Sequence, residues 1–294
     1  MRLRLGIGST ECCGIHTPPY YAAGLNSCHS SYLAPLGPPT LPKGTALDPF
    51  AVFSRISRLS VVMPVFQEAS TVRDAILQVL SSPRENTELE LIIVESGSTD
   101  GSRDIVKEFA SDSRVVLIFQ DKPYGKGNAV RQGFAAASGE VITIFDADGE
   151  YEFADIWSLV RPIEDGTTSF VLGSRHSKGR PMRSFEEARW MAVAMNLMHW
   201  VFASMINITF SARLRDPFTM WKVFRAELVA AVDLRANRFD LDWELVGRFI
   251  LAGALPVEIP AQYCSRDYAH GKKVRLLRDP LSWMAILLKI RLGH

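Results

Sequence analysis

The chain has 294 residues and a mass of 32.8 kDa, with 47% hydrophobic residues, enough to bury the core of one large domain or two small ones. Its 33 Lys and Arg nearly cancel its 32 Asp and Glu, which excludes a nucleic-acid binder whose affinity comes from global neutralisation of phosphates. The four cysteines, Cys12, Cys13, Cys28 and Cys264, form no CxxC pair and match no common zinc-finger spacing even with His16 and His29. Neither a disulfide scaffold nor a zinc module is expected, and the chain reads as a reduced, cytosolic protein.

Residues 1–57 hold seven of the sixteen prolines and six glycines without apolar periodicity, and read as an irregular or disordered N-terminal extension. No sustained apolar run follows Arg2 and Arg4, so no signal peptide is expected. From Leu59 the texture changes. Leu59–Met63 is a short apolar strand ending in Pro64, and Ser70 or Thr71 can cap a helix with Val72, Ala75, Ile76, Val79 and Leu80 on one face. Strand Leu89–Val94, the loop Glu95–Asp100 and a helix bearing Ile105, Val106 and Phe109 repeat the unit. Strand Val115–Phe119, helix Asn128–Ala137 and strand Val141–Phe145 follow. Near-continuous apolar strands alternating with helices imply an α/β fold with a mainly parallel central sheet and helices on both faces. In such sheets the loops after the strands converge on a ligand, here those starting at Pro64, Glu95, Asp121 and Asp146.

The second half is less regular. An amphipathic stretch runs from about Phe185 to Phe210, then a strand Phe218–Phe224, a helix Leu241–Ala252, a short strand Leu255–Ile259 and a basic loop. Asp279-Pro280 opens a C-terminal amphipathic helix within residues 276–294. The apolar run Met191–Ile206 carries Asn196 and His199 and falls short of the span of about 20 residues that crosses a bilayer. With the terminal helix (Trp283, Leu287, Leu288, Lys289, Arg291), it is expected to pack partly on the sheet and partly in shallow, peripheral membrane contact.

The strongest single feature is Asp146-Ala-Asp148-Gly-Glu150, directly after a buried strand. Clustered carboxylates repel one another, and a hard divalent cation such as Mg2+ or Mn2+ would relieve that while keeping positions for diphosphate oxygens. The Gly125-Lys126-Gly127 loop before a helix start would favour a phosphate at its backbone N–H groups.

Six segments extend the pattern: Ser60-Val-Val-Met-Pro64-Val-Phe-Gln-Glu68, Val94-Glu-Ser-Gly-Ser-Thr-Asp100-Gly-Ser, Gly125-Lys-Gly-Asn-Ala, Phe145-Asp-Ala-Asp148, Gly173-Ser-Arg175 and Asp216-Pro-Phe-Thr-Met-Trp-Lys-Val-Phe-Arg225. Their order and spacing resemble family 2 inverting glycosyltransferases, most of all the dolichyl-phosphate and polyprenyl-phosphate branch. The resemblance covers residues 58–275 and implies a GT-A glycosyltransferase domain that takes a nucleotide-diphosphate sugar, such as GDP-mannose or a UDP-sugar. It implies an acceptor that is a lipid phosphate or, alternatively, a saccharide or small-molecule hydroxyl, at the cytoplasmic face of a membrane.

Position by position, the resemblance points to Pro64, Phe66, Glu68, Glu95 and Asp100 for the nucleotide, with Lys126 and Asp146 near it. It points to Asp146, Asp148 and Glu150 for the metal and to Arg175 for a phosphate. Asp216 matches the acidic residue beside the acceptor: a base if the acceptor is a hydroxyl, an orienting group if it is a phosphate. Asp242 and Glu244 are rivals for that role. Residues 261–294 hold seven Lys or Arg against two Asp, and resemble the family's C-terminal loop, which closes over the diphosphate or an acceptor phosphate and carries Lys273 as a candidate catalytic residue. Glu95-Ser96 stands where the family carries an acidic pair, which leaves uracil and guanine both open. The segment Trp190–Met195 is more apolar than in the lipid-phosphate branch. Two other readings compete. Nucleotidyl transfer expects a Gly-rich basic signature after the first strand, which Pro64–Glu68 lacks. A catalytically inactive nucleotide-sugar binding module has no need of Asp146, Asp148 and Asp216. Nothing in the sequence speaks to oligomeric state.

Overall fold

The computed structural model describes residues 55–176, 189–264, 286, 287 and 289–291. The expectations for most of 1–57 and for Lys273 lie outside these residues. Within 52–294, one seven-stranded sheet carries the architecture. Its strands are β1 (Arg58–Val65), β2 (Glu88–Glu95), β3 (Val115–Phe119), β4 (Val141–Ile144), β5 (Phe170–Ser174), β6 (Lys222–Arg225) and β7 (Val257–Pro260), in spatial order β3-β2-β1-β4-β6-β5-β7. The first four are parallel. Strand β6 runs antiparallel to β4 and β5, so the sheet is mixed, and β7 returns parallel to β5.

The continuous apolar runs follow from burial on both faces. Along β1, Leu59, Val61, Met63 and Val65 enter one core while Val62 enters the other; in β2, Leu91 and Ile93 divide from Ile92 and Val94 in the same way. Helices α1 (Val72–Leu80), α2 (Ser102–Lys107) and α4 (Ile156–Glu164) close the first core. Helices α3 (Lys126–Ala136), α5 (Arg189–Phe210) and α7 (Leu241–Leu251) close the second. A short helix, α6 (Ala226–Ala230), follows β6 directly. Leu287 and Ile290 of the C-terminal segment are buried in that second core, whereas Lys289 and Arg291 are exposed.

Three sequence expectations are corrected. Thr71 stands at the N-cap of α1, but its hydroxyl caps no helix N–H and turns back to Glu68 instead. The strand expected over 218–224 begins only at Lys222; residues 216–221 are a loop at the end of the sheet. Helix α5 ends at Phe210 as expected, but the apolar run within it does not fall short: Ala192–Phe210 is long and apolar enough, by length and composition, to cross a membrane. Only 22% of that stretch is buried, with Val193, Leu197, Trp200, Val201 and Ile208 exposed.

Candidate active site

The loops after β1 and β2 are laced together at the carboxyl ends of their strands. Gln67 N–H donates to Ser98 Oγ at 3.0 Å, Glu68 N–H to Ser102 Oγ at 2.8 Å and Ala69 N–H to Asp100 Oδ2 at 2.9 Å. Asp100 Oδ1 accepts from the Ser102 hydroxyl at 2.6 Å and its N–H at 3.0 Å. Burial pushes the Asp100 pKa up, but these donors outweigh it and leave the group below its ordinary value. Glu95 is fully buried, accepts the Ser98 N–H at 2.6 Å and pairs with Arg103. The carboxylates expected to meet a nucleotide therefore have partners inside the protein. Pro64 and Phe66, both half-buried, stand at the same strand end.

The glycines around Lys126 serve packing. Gly125 has φ +103°, and a Cβ there would lie 2.3 Å from the Asn237 carbonyl oxygen. At Gly127 it would lie 2.7 Å from the Ala236 carbonyl and 2.8 Å from that of Arg238. Asn128 N–H donates to the Asn237 carbonyl at 3.1 Å, so one of the N–H groups expected to face a phosphate is taken by a chain segment more than a hundred residues distant. What Lys126 does hold is Asp146, with Nζ 2.5 Å from Oδ2. Burial lowers the pKa of that ammonium, and the carboxylates of Asp146, Asp242 and Asp148 more than restore it.

In the acidic loop, Gly149 turns the chain at φ +72°, a left-handed conformation that suits glycine. Asp148 Oδ1 accepts the Glu150 N–H at 3.0 Å, and Glu150 Oε2 accepts the Tyr263 hydroxyl at 3.0 Å. Asp146 Oδ1 is buried without a hydrogen-bond partner. Among the described residues no three Asp, Glu, His or Cys side chains converge as a ready-made cage, so the expected trio of Asp146, Asp148 and Glu150 is not preassembled. That donor set still suits Mg2+ or Mn2+, which are commonly held by one or two carboxylates and completed by phosphate oxygens and water. The orphaned Asp146 oxygen, costly to bury unpaired, is the atom that a cation would satisfy.

Arg175, just beyond β5, and Asp216, in the loop before β6, form a buried pair. Asp216 is 0% exposed, and its Oδ2 accepts the Arg175 backbone N–H at 2.8 Å and Nε–H at 2.9 Å, while Oδ1 accepts from Nη2 at 2.6 Å. Burial alone would raise the Asp216 pKa, but the Arg175 guanidinium and its hydrogen bonds hold the carboxyl well below the usual carboxylate range. A general base needs the opposite, a pKa raised toward the working pH and a lone pair in reach of substrate. Of the two roles expected for Asp216, base or orienting group, this geometry suits the second. As a base its rivals fare no better: Asp242 Oδ1 binds the buried Lys222 ammonium at 2.6 Å, and Glu244 accepts the Arg235 and Ala236 N–H groups. Lys222, inside an apolar strand, had its signal in being a lysine there at all; burial pulls its pKa down, against Asp242 and Asp216.

Two tyrosines join the halves of the site. Tyr151 meets Tyr263 at a tilt, ring centres 5.1 Å apart, and hydrogen-bonds Thr219 at 2.9 Å, and the Arg175 guanidinium lies 5.6 Å from the Tyr263 ring centre. The fold thus gathers Lys126, Asp146, Asp148, Glu150, Arg175 and Asp216 at one sheet end, linked by contacts or by the mutual electrostatic influence of their charges.

The mostly parallel, mixed seven-stranded sheet with an acidic loop after β4 is a GT-A glycosyltransferase fold. It is shared with glucosyl-3-phosphoglycerate synthase from Mycobacterium tuberculosis in complex with Mn2+, UDP-glucose and phosphoglyceric acid, at a TM-score of 0.57, 18% identity and 80% coverage of both chains. The chain belongs to glycosyl transferase family 2, whose profile matches residues 60–241. It is 31% identical over 278 residues to dolichyl-phosphate beta-glucosyltransferase ALG5A of Trichomonas vaginalis, covering 89% of this chain and 80% of that one. It is 25% identical over 225 residues to undecaprenyl-phosphate 4-deoxy-4-formamido-L-arabinose transferase of Proteus mirabilis, covering 76% of this chain. To dolichol-phosphate mannosyltransferase of Pyrococcus furiosus it is 24% identical over 217 residues, covering 73% of this chain. The matches span 64% and 59% of the length of those last two relatives.

Proposed function

We propose that the chain transfers a sugar from a nucleotide-diphosphate donor to a polyprenyl phosphate at a membrane surface. The observation that carries this reading is the Arg175–Asp216 pair. An acceptor phosphate already bears its nucleophilic oxygen as an anion and needs no base, whereas a hydroxyl acceptor does. The one motif carboxylate aligned with the acceptor is spent on holding a guanidinium, the group best shaped for a phosphate. In this reading Asp216 orients Arg175, and Arg175 meets the acceptor phosphate. The names of the relatives, polyprenyl-phosphate and dolichyl-phosphate sugar transferases, support the same acceptor class.

On the donor side, Pro64 and Phe66 line the nucleoside position, while Glu68, Glu95 and Asp100 brace the two loops around it. Asp148 and the free oxygen of Asp146 would hold Mg2+ or Mn2+, which when bound neutralises charge gathering on the leaving diphosphate. Lys126 keeps Asp146 aimed, and Glu150 anchors the acidic loop to Tyr263. Lys273 is assigned, on the family resemblance, to the diphosphate or the acceptor phosphate. Attack of the acceptor oxygen on the face opposite the diphosphate forms the new glycosidic bond as the old one breaks, inverting the anomeric carbon. The exposed apolar face of α5 supports peripheral contact with a membrane: its inner residues Ile206 and Phe210 are core, which favours lying along the surface over crossing it.

A thermal-shift panel of GDP- and UDP-sugars, with and without Mn2+, tests the donor half. A nucleotide sugar that raises Tm only when Mn2+ is present is expected; stabilisation solely by nucleoside triphosphates would overturn the reading.

A further inference from the structure

Arg175 and Asp216 come from different loops, and their neighbours in sequence are gathered by one side chain from α5. His199 is 5% exposed; its Nε2 lies 2.8 Å from the Arg215 carbonyl oxygen and 3.4 Å from Nε2 of His176. A carbonyl oxygen can only accept, so the proton of that contact sits on His199 Nε2, and His176 turns an unprotonated nitrogen toward it. The two contacts fall on the residue after Arg175 and the residue before Asp216. Aromatic neighbours fix the ring: Phe218 meets it edge-on at 5.6 Å and Trp200 at 5.7 Å, while His176 lies 5.2 Å from Trp200. An imidazole that merely needed a partner in the core would be satisfied by Arg215 alone.

We propose that His199 is a positioning residue for the acceptor phosphate, holding the two loops that carry Arg175 and Asp216 at one fixed separation through the Arg215 carbonyl and His176. This rests on the assignment of Arg175 to that phosphate. Placing a guanidinium on a phosphate demands tolerance of a fraction of an ångström, and a buried donor shared by both loops supplies it. The same turn of α5 points Trp200 and Val201 outward, half exposed, so the helix proposed to rest on lipid is also the one that braces the acceptor group. Both of these contacts fall on the loops of Arg175 and Asp216, so the effect is expected on the acceptor.

The test uses the full chain, wild type and the variants His199→Leu and His199→Gln, the glutamine keeping a nitrogen donor at similar reach. With a polyprenyl phosphate in detergent micelles, His199→Leu should raise the acceptor KM by about tenfold or more, the cost of a buried hydrogen bond left unmade, with the donor KM within about twofold of wild type. His199→Gln should recover most of that loss. A readout independent of turnover is hydrogen exchange of the Arg175 Nε–H, its signal identified by Arg175→Lys: slow in wild type and His199→Gln, and about tenfold faster in His199→Leu. Unchanged acceptor KM and unchanged Arg175 exchange in His199→Leu would overturn the proposal, as would a folded His199→Gln that behaves like the leucine variant. Absence of any transfer by wild type would refute the acceptor assignment instead, and the exchange comparison alone would then decide the role of His199.

Discussion

Asp216→Asn is the perturbation that separates the two roles a carboxylate can have at this place. In the wild type three N–H groups of Arg175 converge on two oxygens of a fully buried Asp216, and Glu258 accepts the Asp216 N–H at 2.5 Å. Asparagine keeps the shape but removes the charge, and its NH2 must face at least one Arg175 donor. Removing one member of a buried ion pair costs about 3–5 kcal/mol, because the remaining charge stays buried without compensation. For a domain of this size that is a fall in Tm of roughly 10 °C. The pH dependence follows from the lowered pKa. The folded state holds the Asp216 proton less tightly than the unfolded chain, so the stabilisation is complete above the unfolded value of about 3.9 and is lost as pH falls toward the lower folded value. Urea titrations of wild type and variant should therefore show a constant gap at neutral pH that narrows only in acid. A Tm within about 2 °C of wild type, or a gap that closes between about pH 5 and 7 as a base with a raised pKa would make it, refutes the positioning role.

Asp148→Ala should abolish turnover and Mn2+-dependent donor binding with little loss of stability, since the side chain is half-buried in a loop; wild-type turnover would refute the metal role. Gly127→Ala should cost about 1–3 kcal/mol in chemical denaturation, because its Cβ would press on the backbone carbonyls of Ala236 and Arg238. Full stability with lost donor binding would instead return those glycines to a phosphate.

Much of the nucleotide half was legible in the chain because its determinants are local. A strand buried on both faces must be apolar throughout, so β1 to β4 appear as runs such as Leu91-Ile-Ile-Val94, and the loops at their ends can be read by position. The acceptor half was harder. Strand β5 shows in the sequence only through its Gly-Ser-Arg end, and the apolar pattern starts four residues before β6, because the segment Phe218–Trp221 is as apolar as a strand yet serves as aromatic packing around Tyr151, His199 and Trp243. Direction within a sheet is a matter of partners, and nothing in Lys222-Val-Phe-Arg225 records that its neighbours run the opposite way.

The sequence by itself determined the alternation of buried strands and helices, the acidic loop at the end of β4 and the ordered motifs of the family, all features written within a few residues of one another. Tertiary structure alone decided what each charge faces. Glu95 and Asp100 turn to loop donors, Lys126 to Asp146, the glycines beside it to residues 236–238, and Asp216 to Arg175. The physical reason is that the free energy of a buried charge, and with it the choice between base and brace, depends on partners that lie tens of residues away along the chain.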